Sequence, residues 1–134
     1  MERGGLVYVC DDTEQIRRLI RLNLELEGYD VEEAADGQEL VELLKLAVEL
    51  PGVITLDAQM DPRDGWWAIR QIRADQRLAD IPVVMVTASV QQHDRVQAQA
   101  SGLDAFVSKP FDPDQLIDVV RGFMADGRGH QPSP

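Results

Sequence analysis

The 134-residue chain is short of several things. It has a single cysteine, Cys10. One cysteine cannot form an internal disulfide, so nothing argues for an oxidising compartment. Its plain reading is a small core residue at the end of a strand. Aromatic residues make up 5% of the chain, within a hydrophobic fraction of 44%. A core is affordable, but aliphatic side chains must build most of it. Positive charge is also scarce: 13 Lys and Arg face 24 Asp and Glu, for a formal net charge of −11. That balance suits neither the phosphates of DNA nor an anionic membrane surface. The expected partners are therefore proteins, metal cations or small molecules, with no direct nucleic-acid contact and no membrane insertion. The apolar run Leu6–Cys10 is too short for a leader or a span, so the default location is the cytoplasm. His93 and His130 lack companions at metal-ligand spacing and read as surface residues.

What is present is a rhythm. Short apolar runs at residues 6–10, 29–34, 53–56, 81–88 and 105–110 read as strands. Amphipathic stretches at 13–28 and 38–50, from Gly65 through Ile69 and Ile72, and at 89–102 and 112–124 read as helices. Gly28, Pro51-Gly52 and Gly102 mark helix stops. Asp64 precedes Gly65 as an N-cap, Ser89 and Gln92 have capping-box spacing, and Asp112 with Pro113 opens the last helix. Continuous apolar strands alternating with helices predict a parallel sheet covered on both faces. The chain is too short for a closed eight-fold barrel. An open, doubly wound, flavodoxin-like α/β sheet follows, with five strands in the order 2-1-3-4-5. Residues 5–125 form one domain, and the polar, Gly- and Pro-rich segment 126–134 is expected to be a disordered tail.

In such a sheet, ligands bind beyond the carboxyl ends of the strands. The first strand delivers Asp11 and Asp12 there, the third Asp57, the fourth Thr87 and the fifth Lys109. Clustered carboxylates repel one another unless a cation joins them. An oxygen-only ligand set suits a hard divalent ion such as Mg²⁺, which takes one or two carboxylates and keeps several waters. Lys109 adds a point charge, and Thr87 a hydroxyl donor. Together these groups describe phosphoryl transfer onto a carboxylate.

Asp11-Asp12, Asp57, Val86-Thr87-Ala88 and Ser108-Lys109-Pro110-Phe111, in that order on successive strand ends, resemble the receiver domain of two-component response regulators, in the style of single-domain chemotaxis regulators. The resemblance covers residues 6–124. It implies that Asp57 accepts a phosphoryl group from a phosphohistidine on a sensor histidine kinase or histidine phosphotransfer protein. It implies Mg²⁺ held by Asp12 and Asp57, by the backbone carbonyl of Gln59, and by Asp11 through a bound water. Lys109 would pair with Asp57 or its phosphoryl group, and Thr87 would hydrogen-bond that group. Phe106 falls at the switch-aromatic position, and Lys109-Pro110 at a peptide that is often cis. Such a module supports its own phosphorylation and dephosphorylation without being a conventional enzyme, and signals to a downstream protein target.

The sequence departs from the family in one loop. Asp61 stands where a proline is usual, and Pro62 comes one residue late. Asp61 reads either as a solvated loop acid or as extra negative charge near the metal. Phe106 has no hydroxyl, so its switch would be one of packing. Of the adjacent tryptophans, Trp66 is expected to pack and Trp67 to be partly exposed. Arg17, Arg18 and Arg21 read as a solvated face, although in receivers the first helix can meet the phosphodonor. The helix at 89–102 is poor in apolar residues. With the last strand and helix, it is expected to form the moving output face.

Other uses of a parallel sheet fit less well. A haloacid-dehalogenase-like phosphatase would place Asp-x-Asp after the first strand and carry a cap. A flavodoxin would have a Ser/Thr/Gly-rich first loop where this chain has CDDTEQ. A non-phosphorylated pseudo-receiver would not need the full set of acids, Thr87 and Lys109.

Overall fold

A computed structural model describes residues 4–88 and 100–129. The elements, in chain order, are β1 (Leu6–Cys10), α1 (Glu14–Leu26), β2 (Asp30–Ala34), α2 (Gly37–Leu46), β3 (Val53–Leu56), α3 (Gly65–Ala74), β4 (Val83–Thr87), β5 (Ala105–Ser108) and α4 (Pro113–Asp126), followed by a 3₁₀ turn at Gly127–Gly129. All five strands pair in parallel, in the order β2-β1-β3-β4-β5. This is the doubly wound sheet that the strand–helix rhythm predicts.

The alternation of side chains along the strands divides the core in two. Tyr8, Cys10, Ile54 and Leu56 pack beneath α2 and α3, against Leu40, Leu44, Ala68, Ile69 and Ile72. Val7, Val9, Val84, Val86 and Val107 face α1 and α4, against Ile20, Leu24, Leu116, Val120 and Phe123. With both faces covered, an interior strand has no solvated side to present, which is why β3 and β4 are apolar apart from the buried Thr55 and Thr87.

Three helices carry the caps their sequences call for. Asp36, Asp64 and Asp112 accept from the backbone N–H groups of Glu39, Trp67 and Asp114. The elements are shorter than the apolar runs in several places. β2 starts at Asp30, and β4 covers Val83–Thr87 rather than residues 81–88. β5 ends at Ser108. α2 stops at Leu46 instead of running to residue 50. There the Arg77 guanidinium donates to the carbonyls of Leu44, Lys45 and Ala47, taking up groups that α2 leaves open at its end. Conversely, α4 continues to Asp126, and 127–129 form a 3₁₀ turn held by Arg128, so regular structure passes the domain limit expected at residue 125. The expected helix at 89–102 falls largely outside the described residues. So do Ser89, Gln92, His93, Val96 and the 130–134 portion of the tail.

Candidate functional site

β1, β3, β4 and β5 end at one edge of the sheet, and their next residues build an acidic pocket. Asp11 leaves β1 fully buried, Asp57 leaves β3 buried, and Asp12 is exposed. One carboxylate oxygen from each of the three lies within 4.8 Å of the others. Lys109 enters from the end of β5. Its Nζ donates to Asp11 Oδ2 at 2.8 Å and to Asp57 Oδ2 at 3.2 Å. Thr87 is buried at the end of β4, and its carbonyl accepts from the Lys109 backbone N–H at 2.9 Å. The Lys109–Pro110 peptide is cis.

Asp11 is held on every side. Its N–H donates to the Ala34 carbonyl at 3.2 Å. Its carbonyl accepts from Arg17 Nη1 at 2.8 Å, its Oδ1 from the Thr13 N–H at 2.9 Å, and its Oδ2 from Lys109. Asp57 is fixed by its N–H to the Cys10 carbonyl and by the Gln59 N–H to Oδ1 at 3.2 Å. Behind it, α3 approaches so closely that a Cβ on Gly65 would lie 2.2 Å from the Asp57 carbonyl oxygen. Only glycine fits there, and this contact seats the start of α3 against the site loop.

The electrostatics follow from burial. Desolvation raises the Asp57 carboxyl above its ordinary range, and the Asp11 charge adds to this. The Gln59 amide and Lys109 pull the other way without cancelling the rise. Burial works against the Lys109 charge, but hydrogen bonding and attraction from Asp11, reinforced by Asp57, outweigh it and raise the ammonium. Burial, with Asp36 and Asp11 nearby, pushes the Cys10 thiol well up. Cys10 is therefore a core thiol, with its Sγ 3.6 Å from Met60 Sδ. Two of the three carboxylates share one lysine here, and the oxygen-only donor set of all three fits a hard divalent cation.

The structure brings Asp11, Asp12, Asp57, Thr87 and Lys109 to one place, as their strand-end positions predict. The Gln59 backbone is beside Asp57 as well. Phe106 stands on β5, and its ring meets Trp66 edge-on with centroids 6.2 Å apart. Both tryptophans are half-buried, and Arg63 lies 5.0 Å from the Trp67 ring. Asp64 is the cap of α3, with Oδ1 2.8 Å from the Trp67 nitrogen. Asp61 is exposed, precedes a second cis proline, and is not in the carboxylate cluster. Arg17 is the residue that the sequence reading places wrongly. It is not on a solvated face but turned under the site, with its side chain 16% exposed against 72% for Arg18. The 3.6-residue period puts both on the outer side of α1 and cannot distinguish them.

A family model described as the response regulator receiver domain matches residues 7–121. The chain belongs to that family. Among relatives, this receiver is 40% identical over 119 residues to the DNA-binding dual master transcriptional regulator RpaA of Synechocystis, covering 88% of this chain and 48% of that protein. It is 37% identical to the response regulator Rre1 of the same organism, covering 89% of this chain and 51% of that protein. The receiver thus spans about half the length of the curated relatives it matches. Among solved structures, the Francisella response regulator 1452 receiver domain superposes with a TM-score of 0.82 at 28% identity, covering 91% of this chain and 98% of that one. The receiver domain of sensor histidine kinase PA1611 from Pseudomonas aeruginosa gives a TM-score of 0.82 at 25% identity over the same shares, and carries a magnesium ion in its active-site cleft. The expectation of no nucleic-acid contact applies to these 134 residues alone, since RpaA is named as DNA-binding. No helix among the described residues is long and apolar enough to cross a membrane.

Proposed function

We propose that this receiver accepts a phosphoryl group on Asp57 from the phosphohistidine of a sensor histidine kinase or histidine phosphotransfer protein. The observation that carries the reading is Lys109 Nζ, shared between Asp11 and Asp57 at the rim of a three-carboxylate cluster. In the transfer, an Asp57 carboxylate oxygen forms a bond to phosphorus, and the bond from phosphorus to the donor's imidazole nitrogen breaks, its electron pair returning to the ring. Asp12 and Asp57, with the Gln59 carbonyl and Asp11 through water, are the residues to hold Mg²⁺. Bound there, the ion would neutralise charge on the phosphoryl oxygens. Lys109 is already beside Asp57 to pair with the incoming group, and Thr87 at the end of β4 would donate its hydroxyl to a phosphoryl oxygen. Movement of Thr87 toward that oxygen would let Phe106 repack, altering the surface that β5 presents. Trp66, already in contact with that ring, would register the change.

The module is a phosphoacceptor that supports its own phosphorylation and hydrolysis rather than a conventional enzyme. Its output runs through contacts with a downstream protein in the cytoplasm, in keeping with the net charge of −11. Incubation with Mg²⁺ and acetyl phosphate, followed by intact-mass measurement, tests the assignment. Wild type should gain one phosphoryl adduct and Asp57→Asn none. An unmodified wild type, or a fully modified Asp57→Asn, would overturn it.

A further inference from the structure

We propose that Arg17 is a positioning residue that sets the receiver's affinity for divalent cation through the backbone of Asp11. The inference rests on the phosphoacceptor reading above. Arg17 Nη1 donates to the Asp11 carbonyl at 2.8 Å, and Arg17 Nε to Glu33 Oε1 at 2.9 Å. The other Glu33 oxygen is taken by Arg21 Nη1 at 2.7 Å. Desolvation opposes the Glu33 charge, yet the hydrogen bonds from Arg21 and Arg17 hold its carboxyl below its ordinary range. Glu33 is on β2 and both arginines are on α1. A guanidinium anchored by α1 and β2 therefore reaches across to grip the loop leaving β1.

That loop carries the ligands. The peptide whose carbonyl Arg17 holds joins Asp11 to Asp12, so its orientation determines where the Asp12 carboxylate starts. Asp12 is the exposed member of the cluster, whereas Asp11 is fixed by four hydrogen bonds and Asp57 by its own backbone contacts. The orientation of Asp12 is thus the least determined part of the cluster by local bonding, and two contacts limit it: the Thr13 N–H to Asp11 Oδ1 on one side and the Arg17 bond to the Asp11 carbonyl on the other. Glu33 offsets part of the Arg17 charge but is shared with Arg21. The two influences have opposite signs: loss of the bond to the Asp11 carbonyl should weaken Mg²⁺ binding, whereas loss of a nearby positive charge alone would strengthen it. Groups that hold metal-binding carboxylates from behind typically contribute about tenfold or more to metal affinity.

The test is Mg²⁺ titration by calorimetry on the whole chain, with acetyl phosphate labelling and urea unfolding of the same samples. Arg17→Met keeps the aliphatic stem and deletes the donors. It should weaken Mg²⁺ binding by about tenfold, while labelling at saturating Mg²⁺ stays within about threefold of wild type. Arg17→Lys, which retains one donor, should recover most of the affinity. Arg21→Ala removes the other Glu33 partner without touching the Asp11 carbonyl. It should lower stability but leave Mg²⁺ binding within about twofold. Unchanged binding in Arg17→Met, no recovery in Arg17→Lys, or equal weakening in Arg21→Ala would overturn the proposal. If Arg17→Met does not fold, the Arg17→Lys and Arg21→Ala pair decides: Arg17→Lys should bind Mg²⁺ no more weakly than about threefold below wild type, and a larger loss matched by Arg21→Ala would overturn it. A wild type that neither binds Mg²⁺ nor takes up phosphate would instead overturn the phosphoacceptor reading itself.

Discussion

The two ends of the sheet handle buried charge in opposite ways. At the carboxyl end, three carboxylates cluster and two of them, Asp11 and Asp57, share a single lysine. At the amino end, where β4 and β5 begin, two guanidinium groups converge on a single carboxylate. Asp104 accepts from Arg73 Nη2 at 2.8 Å, from Arg128 Nε at 3.0 Å and from the Val83 N–H at 2.8 Å. Arg73 further donates to the carbonyls of Gly102, Ala79 and Ile81. Burial, with the Arg128 charge behind it, draws the Arg73 guanidinium down to about 10, still fully charged at neutral pH. Asp104, Arg73 and Arg128 find their partners inside the protein. Among the described residues, the carboxyl end sets three carboxylates against one lysine, and that negative surplus suits a divalent cation. A buried ion cluster is therefore structural or functional according to whether its own residues satisfy it.

The contrast can be broken most forcefully at Asp104. Asp104→Ala strands a buried Arg73 and should cost about 3–5 kcal/mol in urea unfolding, with or without Mg²⁺. A mild effect would mean that the amino-end cluster does not hold the fold. Gly65→Ala attacks the carboxyl end through its backbone. The new methyl collides with the Asp57 carbonyl, and a loss of about 1–3 kcal/mol is expected, together with slower acetyl phosphate labelling. Loss of stability without slower labelling would separate the α3 contact from the site.

The pH dependence sharpens the same difference. The raised Asp57 carboxyl binds its proton more tightly in the folded protein than in the unfolded chain. Its contribution to stability is thus fully present below the ordinary value of 3.8 and is lost as pH rises through the folded value. Without Mg²⁺, the difference in urea midpoint between Asp57→Asn and wild type should grow in that window. A difference that shrinks as pH rises would contradict the desolvation account. The smallest effect belongs to Asp12→Ala. It removes an exposed charge, so the metal-free protein should gain slightly in midpoint while the stabilisation conferred by Mg²⁺ falls. An undiminished Mg²⁺ effect would remove Asp12 from the ligand set.

Much of this was legible in the sequence, because strand ends are local. An apolar run followed by Asp11, Asp57, Thr87 or Lys109 declares where that side chain must emerge, and the parallel sheet brings the ends together. The N-caps at Asp36, Asp64 and Asp112 depend on three or four neighbouring residues, and Asp64 and Asp112 were readable in the same way. Contacts between distant segments were not legible. That Lys109 stands closer to Asp11 than to Asp57 depends on how β5 docks against the far side of β4. Arg17 and Arg18 are chemically identical, and only the neighbouring Glu33 on β2 and the Asp11 carbonyl separate them. Trp66 finds Phe106 across 40 residues of chain, with no periodicity to announce it.

The length of α2 is decided in the same long-range way. Its apolar pattern runs on toward residue 50, but the helix stops where Arg77, from the segment after α3, takes hold of its last carbonyls. Where α2 ends is thus information stored some thirty residues downstream, and it becomes available only when the two segments have docked. Cut out as a peptide, residues 37–50 would keep the composition of a longer helix and lose the residue that punctuates it.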